Sequence, residues 1–291
     1  MNTKMFYGGI FMPIIILLFL SKIEIQAQES IQNLHFTHAL HDFPAARSML
    51  RSSYLHAAFR NDFCTKEMMF KELEFDFIHQ QDALLTTITH YGYGSFGELA
   101  VHIGYGRRFG NKVAVALRGV YLLNHATHYA PRHSFTVDFS ICYKINAKLC
   151  LSVALFNPIR MKYGITGEEV IPMRFELQGD YQPNEKLLIS LYGSKTLPGE
   201  LDIGARLHFQ PKNNLILSSI ASITNCGIGI SIPWKGFVFN VQGQWYYRIS
   251  VSPGCGVGYY FKKECNDIAV DSLSALTCGR TKTPLLFKKG N

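Results

Sequence analysis

The sequence predicts an all-β fold, an antiparallel up-and-down transmembrane β-barrel of about 14 strands. Three observations predict it. The 291-residue chain is 47% hydrophobic and 13% aromatic but only 17% charged, with 24 glycines, whereas ordinary soluble domains are about 25% charged. Beyond its first twenty residues, no apolar run approaches the roughly 18 residues that a helical span needs. From Met49 to Lys262 the dominant hydrophobic period is two, the signature of strands with one apolar face. The apolar content also excludes a disordered chain.

Residues 1–27 read as a signal peptide. Lys4 provides a short basic start, Ile10 to Leu20 an apolar stretch, and Ile25-Gln26-Ala27 a polar exit with cleavage after Ala27. Eleven apolar residues suit a signal peptide and are short for a span. Residues 28–48 form an N-terminal lead-in. There His35, His38 and His41 recur every third residue and would share one face of a helix, a spacing that suits a metal; we read them as an exposed polar lead-in.

Residues 49–262 form the barrel. Val113, Val115, Leu117, Gly119, Tyr121 and Leu123 alternate with Ala114, Ala116 and Arg118. Phe135, Val137, Phe139, Ile141 and Tyr143 alternate with Ser134, Thr136, Asp138 and Ser140. The pattern recurs from Ile171 to Asp180 and from Phe237 to Tyr247. Fourteen such segments of about ten residues, the length a tilted spanning strand needs, centre on residues 54, 74, 87, 103, 118, 138, 153, 175, 191, 205, 219, 229, 242 and 257. Connections after even-numbered strands are tight and polar, as in residues 109–112, 145–148, 182–185, 211–214 and 233–236. Some after odd-numbered strands are longer, notably 125–133 and 157–169. Such asymmetry is expected of a barrel with short periplasmic turns and longer outer loops.

The apolar faces are therefore expected to meet lipid and the polar faces to line the interior. Arg118, Asp138, Arg174, Glu176, Asp180, Asp202 and Arg206 then point inward, as charge pairs bracing a polar lumen. Tyr91, Tyr93, Tyr105, Tyr181, Trp245, Tyr246, Tyr247, Tyr259, Tyr260 and Phe261 are expected to supply interfacial girdles. Of seven cysteines, none in a CxxC, Cys142 and Cys150 flank the turn 145–147. They read either as a pair facing across a hairpin or as two small residues on one sheet face. Residues 263–291 form a polar tail carrying part of the net charge of +8. The rest is spread along the chain without a basic, aromatic-interleaved patch, which excludes nucleic acid as a partner.

Catalytic signatures are wanting. Residues 106–112 hold glycines and a lysine without the spacing of a phosphate loop. His125, His128 and His133 lie beside Ser134 and Asp138, a set from which a Ser/His/Asp site can be drawn only if geometry supports it. We nominate no catalytic, cofactor-binding or metal residue and no cofactor, and expect no enzyme.

The stretch His90-Tyr91-Gly92-Tyr93-Gly94 through Glu98-Leu99-Ala100-Val101 and Gly104 to Lys112 resembles the early hairpins of PorV/PorQ-type outer-membrane proteins. So do Phe156-Asn157-Pro158-Ile159-Arg160, Ile171-Pro172-Met173-Arg174 and Tyr181 to Leu188. These are FadL-like barrels of Bacteroidetes-type bacteria, and the resemblance covers about residues 45 to 262. It implies a place in the outer membrane and an interaction or scaffold role in type IX protein secretion, with secretion-machinery proteins or secreted cargo as partners. The wider FadL-like resemblance implies the alternative, a transport pore for small hydrophobic or amphipathic molecules. Family members carry an N-terminal plug segment inside the barrel. Here Ala46-Arg47-Ser48-Met49 leads almost directly to Phe70-Lys71-Glu72-Leu73, so the plug is expected to be reduced or absent.

Overall fold

A computed structural model describes residues 43–261, apart from positions 51, 66, 163–169, 185, 200, 213 and 248–249. The signal peptide, His35, His38, His41 and the 263–291 tail lie outside the described residues. The strands are β1 (Tyr54–Asn61), β2 (Met69–His79), β3 (Asp82–Tyr93), β4 (Phe96–Phe109), β5 (Val113–Ala126), β6 (Arg132–Lys144) and β7 (Leu149–Phe156). The second half continues with β8 (Met173–Asn184), β9 (Leu187–Leu197), β10 (Leu201–Lys212), β11 (Leu215–Ser222), β12 (Asn225–Trp234), β13 (Phe237–Tyr246) and β14 (Val251–Tyr260). Each strand pairs antiparallel with its sequence neighbours, and β1 pairs with β14 to close the barrel. Every one of the fourteen centres read from the sequence falls within its strand. Closure leaves no unpaired edge, which a bilayer interior requires because no water is present to satisfy one.

Alternation fixes which way each side chain faces. On β5, Ala114, Ala116, Arg118 and Val120 are buried inward while Leu117 is 56% exposed on the outside. On β6, Ser134, Thr136, Asp138 and Ser140 are buried, whereas Phe135, Phe139 and Ile141 are exposed. This inversion of a soluble barrel recurs around the whole wall: Ile103, Leu177, Leu191 and Val241 face out, and Glu74, Gln178 and Ser190 face in. Such an apolar exterior buries itself only in lipid. A closed, inside-out barrel of fourteen antiparallel strands is an outer-membrane architecture. Among the described residues no helix is long and apolar enough to cross a membrane.

The end after even-numbered strands is uniformly tight, with connections of four residues at most (145–148). The other end carries the long segments 62–68 and 157–172, although 94–95 and 223–224 are as short as any turn. Tyr105, Tyr181, Trp245, Tyr247 and Tyr259 face outward as girdle residues should. Tyr260 is buried and Tyr91 and Tyr246 sit at inward positions. In the runs Trp245–Tyr247 and Tyr259–Phe261 the period of two sends the middle ring to the lumen, while Tyr91 and Tyr93 share the inward parity of Leu85 and Thr87 on β3.

Of the two expectations for the plug, the described residues show the first: it is reduced, not absent. Phe43, Ala45, Ala46, Arg47, Ser48, Met49 and Leu50 are all buried. They form the one-turn helix α1 (Pro44–Arg47) and a following turn, packed inside the barrel against β4, β5, β6 and β7. Pro44 starts this turn, where its missing N–H costs nothing. The short lead-in suffices because the wall it meets is lined by small side chains: Gly106, Ala114, Ala116, Ser140 and Ala154.

Candidate functional site

The lumen is the candidate site, and its two halves differ. The half bounded by β2–β8 holds the plug. Its plug is anchored by Arg47. The guanidinium grips Asp76 through both Nε (2.8 Å) and Nη2, and Nη1 donates to Thr87 Oγ1 (3.0 Å) while meeting Glu74 Oε1 at 2.5 Å. Two-pronged contact of this kind is strong and directional. Burial opposes the Arg47 charge, but the carboxylates of Asp76 and Glu74 outweigh it and hold its pKa above the ordinary guanidinium value. Ala45 N–H donates to Ser140 Oγ at 2.8 Å, tying the helix start to β6.

Toward the long-loop end, the same half is closed by a second network. Arg118 and Asp138 are direct cross-strand partners and meet at 2.9 Å. Arg174 stacks over the Phe156 ring at 4.3 Å and meets Glu176 at 3.1 Å. Asn157, left-handed at φ 48° and buried, receives a hydrogen bond from Thr136 Oγ1 (2.7 Å) and donates to the Ile171 carbonyl (2.6 Å). The described ends of the segment after β7 are thereby tied to the inner wall at Met161 and Ile171, and Ser134 Oγ donates to the Lys162 carbonyl at 2.9 Å.

The half bounded by β10–β13 is different. Arg206, His208, Ser218, Ile220, Gly229 and Gln242 line a small cavity of about 40 Å³ that opens to solvent. Its border with the plug-bearing half is polar. Arg206 donates to Gln178 Oε1 (2.9 Å) and lies 4.3 Å over Tyr192, while Asp180 accepts from Ser190 (2.5 Å) and Gln178 (2.8 Å).

The seven inward charges of the sequence reading all sit at inward positions, mostly in pairs or hydrogen bonds; Asp202 accepts from Thr224 at 3.2 Å. The drawn Ser/His/Asp set does not assemble. His125 and His133 face outward, with His133 Nδ1 2.6 Å from the Tyr121 hydroxyl, while Ser134 and Asp138 face the lumen. Cys142 and Cys150 meet inside the wall with their sulfurs 3.2 Å apart, as free thiols. They are offset by two positions, since Cys142 faces Ser152 and Cys150 faces Lys144. Sequence reasoning missed the Arg47 anchor. Its signal was the set of small inward residues on β4–β7, which form one patch only once the strands are in register.

Neither a scan of protein-family models nor a search of curated proteins finds a match to the sequence. Solved structures do resemble the barrel. One is the CymD monoaromatic hydrocarbon channel, with TM-score 0.61 and 7% identity over 81% of this chain and 98% of that one. Another is the toluene transporter TodX of Pseudomonas putida, with TM-score 0.61 and 10% identity over 80% of this chain and 95% of that one. At such identities the likeness is one of fold.

Proposed function

We propose that the protein is an outer-membrane channel for small hydrophobic or amphipathic molecules. The observation that carries this reading is the division of the lumen: a plug anchored against β2–β7 beside a cavity along β10–β13. The cavity mixes Ile220 and glycines with serine, glutamine and arginine, a lining suited to an apolar solute with few polar groups. The fold shared with a monoaromatic hydrocarbon channel and a toluene transporter supports the same solute class. It agrees with the FadL-like side of the sequence resemblance; the type IX secretion role has no counterpart in these likenesses. In this reading solutes pass along β10–β13 while Phe43–Leu50 stays in place.

Ser218 faces the cavity, whereas Ala221 on the same strand is exposed on the outer wall and lies outside the cavity lining. In cells that otherwise lack the protein, Ser218→Phe is expected to lower uptake of a labelled monoaromatic hydrocarbon several-fold. Ala221→Phe is expected to leave it unchanged. Equal uptake by both variants and the wild type would remove the cavity from the path.

A further inference from the structure

We infer that His56, Glu72 and Glu74 form a divalent transition-metal site in the lumen wall, beside the plug. His56 on β1 and Glu74 on β2 are direct cross-strand partners, and Glu72 lies two residues along the same inward face. His56 and Glu74 are buried and Glu72 is nearly so. One ligand atom from each residue lies within 4.8 Å of the other two.

Two features distinguish this set from a simple acidic cluster. First, the spacing fits ligands around a shared ion. His56 Nδ1 stands 3.8 Å from Glu72 Oε1 and 3.9 Å from Glu74 Oε2. Two ligands each about 2.0–2.2 Å from one zinc-like ion stand roughly 3–4 Å apart. Second, Glu74 is oriented from behind. Arg47 Nη1 holds Oε1 at 2.5 Å, which turns Oε2 toward His56. A supported carboxylate of this kind is how proteins orient metal ligands. Arg47 itself is spent on Asp76 and Glu74, so three carboxylates concentrate negative potential at this part of the wall.

The donor set selects the metal class. An imidazole nitrogen with two carboxylates suits zinc, cobalt or nickel, whereas calcium and magnesium prefer oxygen donors throughout. The backbone opposite leaves room for the imidazole: a Cβ on Gly256 would lie 2.9 Å from His56 Nε2. Occupancy would pin β1 to β2 and, through Glu74, brace the Arg47 anchor.

The test uses the untagged full chain in detergent, stripped by a chelator, with its thiols alkylated because Cys64 and Cys255 are exposed. Zn²⁺ is titrated by calorimetry and Co²⁺ by its visible absorption. The expected result is one ion per chain, retained when His35, His38 and His41 are all replaced by alanine. His56→Ala and Glu72→Gln should each weaken binding more than tenfold while the barrel still shifts on a gel with heating. If His56→Ala does not fold, the conservative Glu72→Gln decides alone. Absence of a stoichiometric ion, or binding that Glu72→Gln leaves unchanged, would overturn the assignment.

Discussion

Arg47→Ala is expected to lower the stability of the barrel by about 3–5 kcal/mol, the usual cost of removing one partner from a buried ion pair. The size follows from what is left behind. Asp76 and Glu74 are fully buried and lose the cation that both contact, and Thr87 loses its donor. Alanine also frees Phe43–Leu50 from its anchor, so ionic conductance in a planar bilayer should rise several-fold. Arg47→Lys keeps the charge without the planar fork on Asp76, and should fall between the two. Urea unfolding in lipid vesicles reads the first effect and single-channel recording the second. Wild-type stability and conductance in Arg47→Ala would mean that the plug is not held as described.

Gly106→Val is expected to open the same half of the lumen without touching a charge. A Cβ at Gly106 would stand 1.8 Å from Ser48 Oγ, 2.9 Å from Ser48 Cβ and 3.4 Å from Ala116 Cβ. Rotating the hydroxyl relieves only the first of these contacts. Valine adds two methyl groups, so the plug must move off β4, at about 1–3 kcal/mol for forced overpacking. Conductance should rise as in Arg47→Ala, with a smaller loss of stability because the Arg47–Asp76 pair survives. Gly179→Val is the control. Its position faces outward, with nothing within 4 Å of the added Cβ, and conductance should not change.

The barrel was legible in the sequence because the period of two is local. A reader of Phe135 to Tyr143 needs no other part of the chain to see which residues face lipid, and the inward charges from Arg118 to Arg206 follow from the same count. The parity of the connections was legible for the same reason, since each tight turn is marked by its own residues. Contacts between distant segments were not. Phe43–Leu50 is too short for a periodicity, and its pocket is assembled from Gly106, Ser140 and Ala154 on three strands. Adjacency in sequence also misled: His133 and Ser134 are neighbours, yet alternation puts one in the outer wall and the other in the lumen. The grouping of His56 with Glu72 and Glu74 depends on the β1–β2 register, which the irregular 62–68 connection concealed.

The central claim is that solutes pass along β10–β13 beside a stationary plug. Pinning the plug tests it most directly. In a chain whose seven native cysteines are replaced by serine, Ala45→Cys and Ser140→Cys pin the plug to β6 where Ala45 N–H donates to Ser140 Oγ at 2.8 Å, a contact that keeps the two Cα atoms within the roughly 6.8 Å a disulfide can span. Hydrocarbon uptake by cells producing this variant is measured before and after oxidation. The account predicts uptake above that of cells lacking the protein, and equal in the two states. Uptake lost on oxidation and restored by reduction, or never above background, would contradict it.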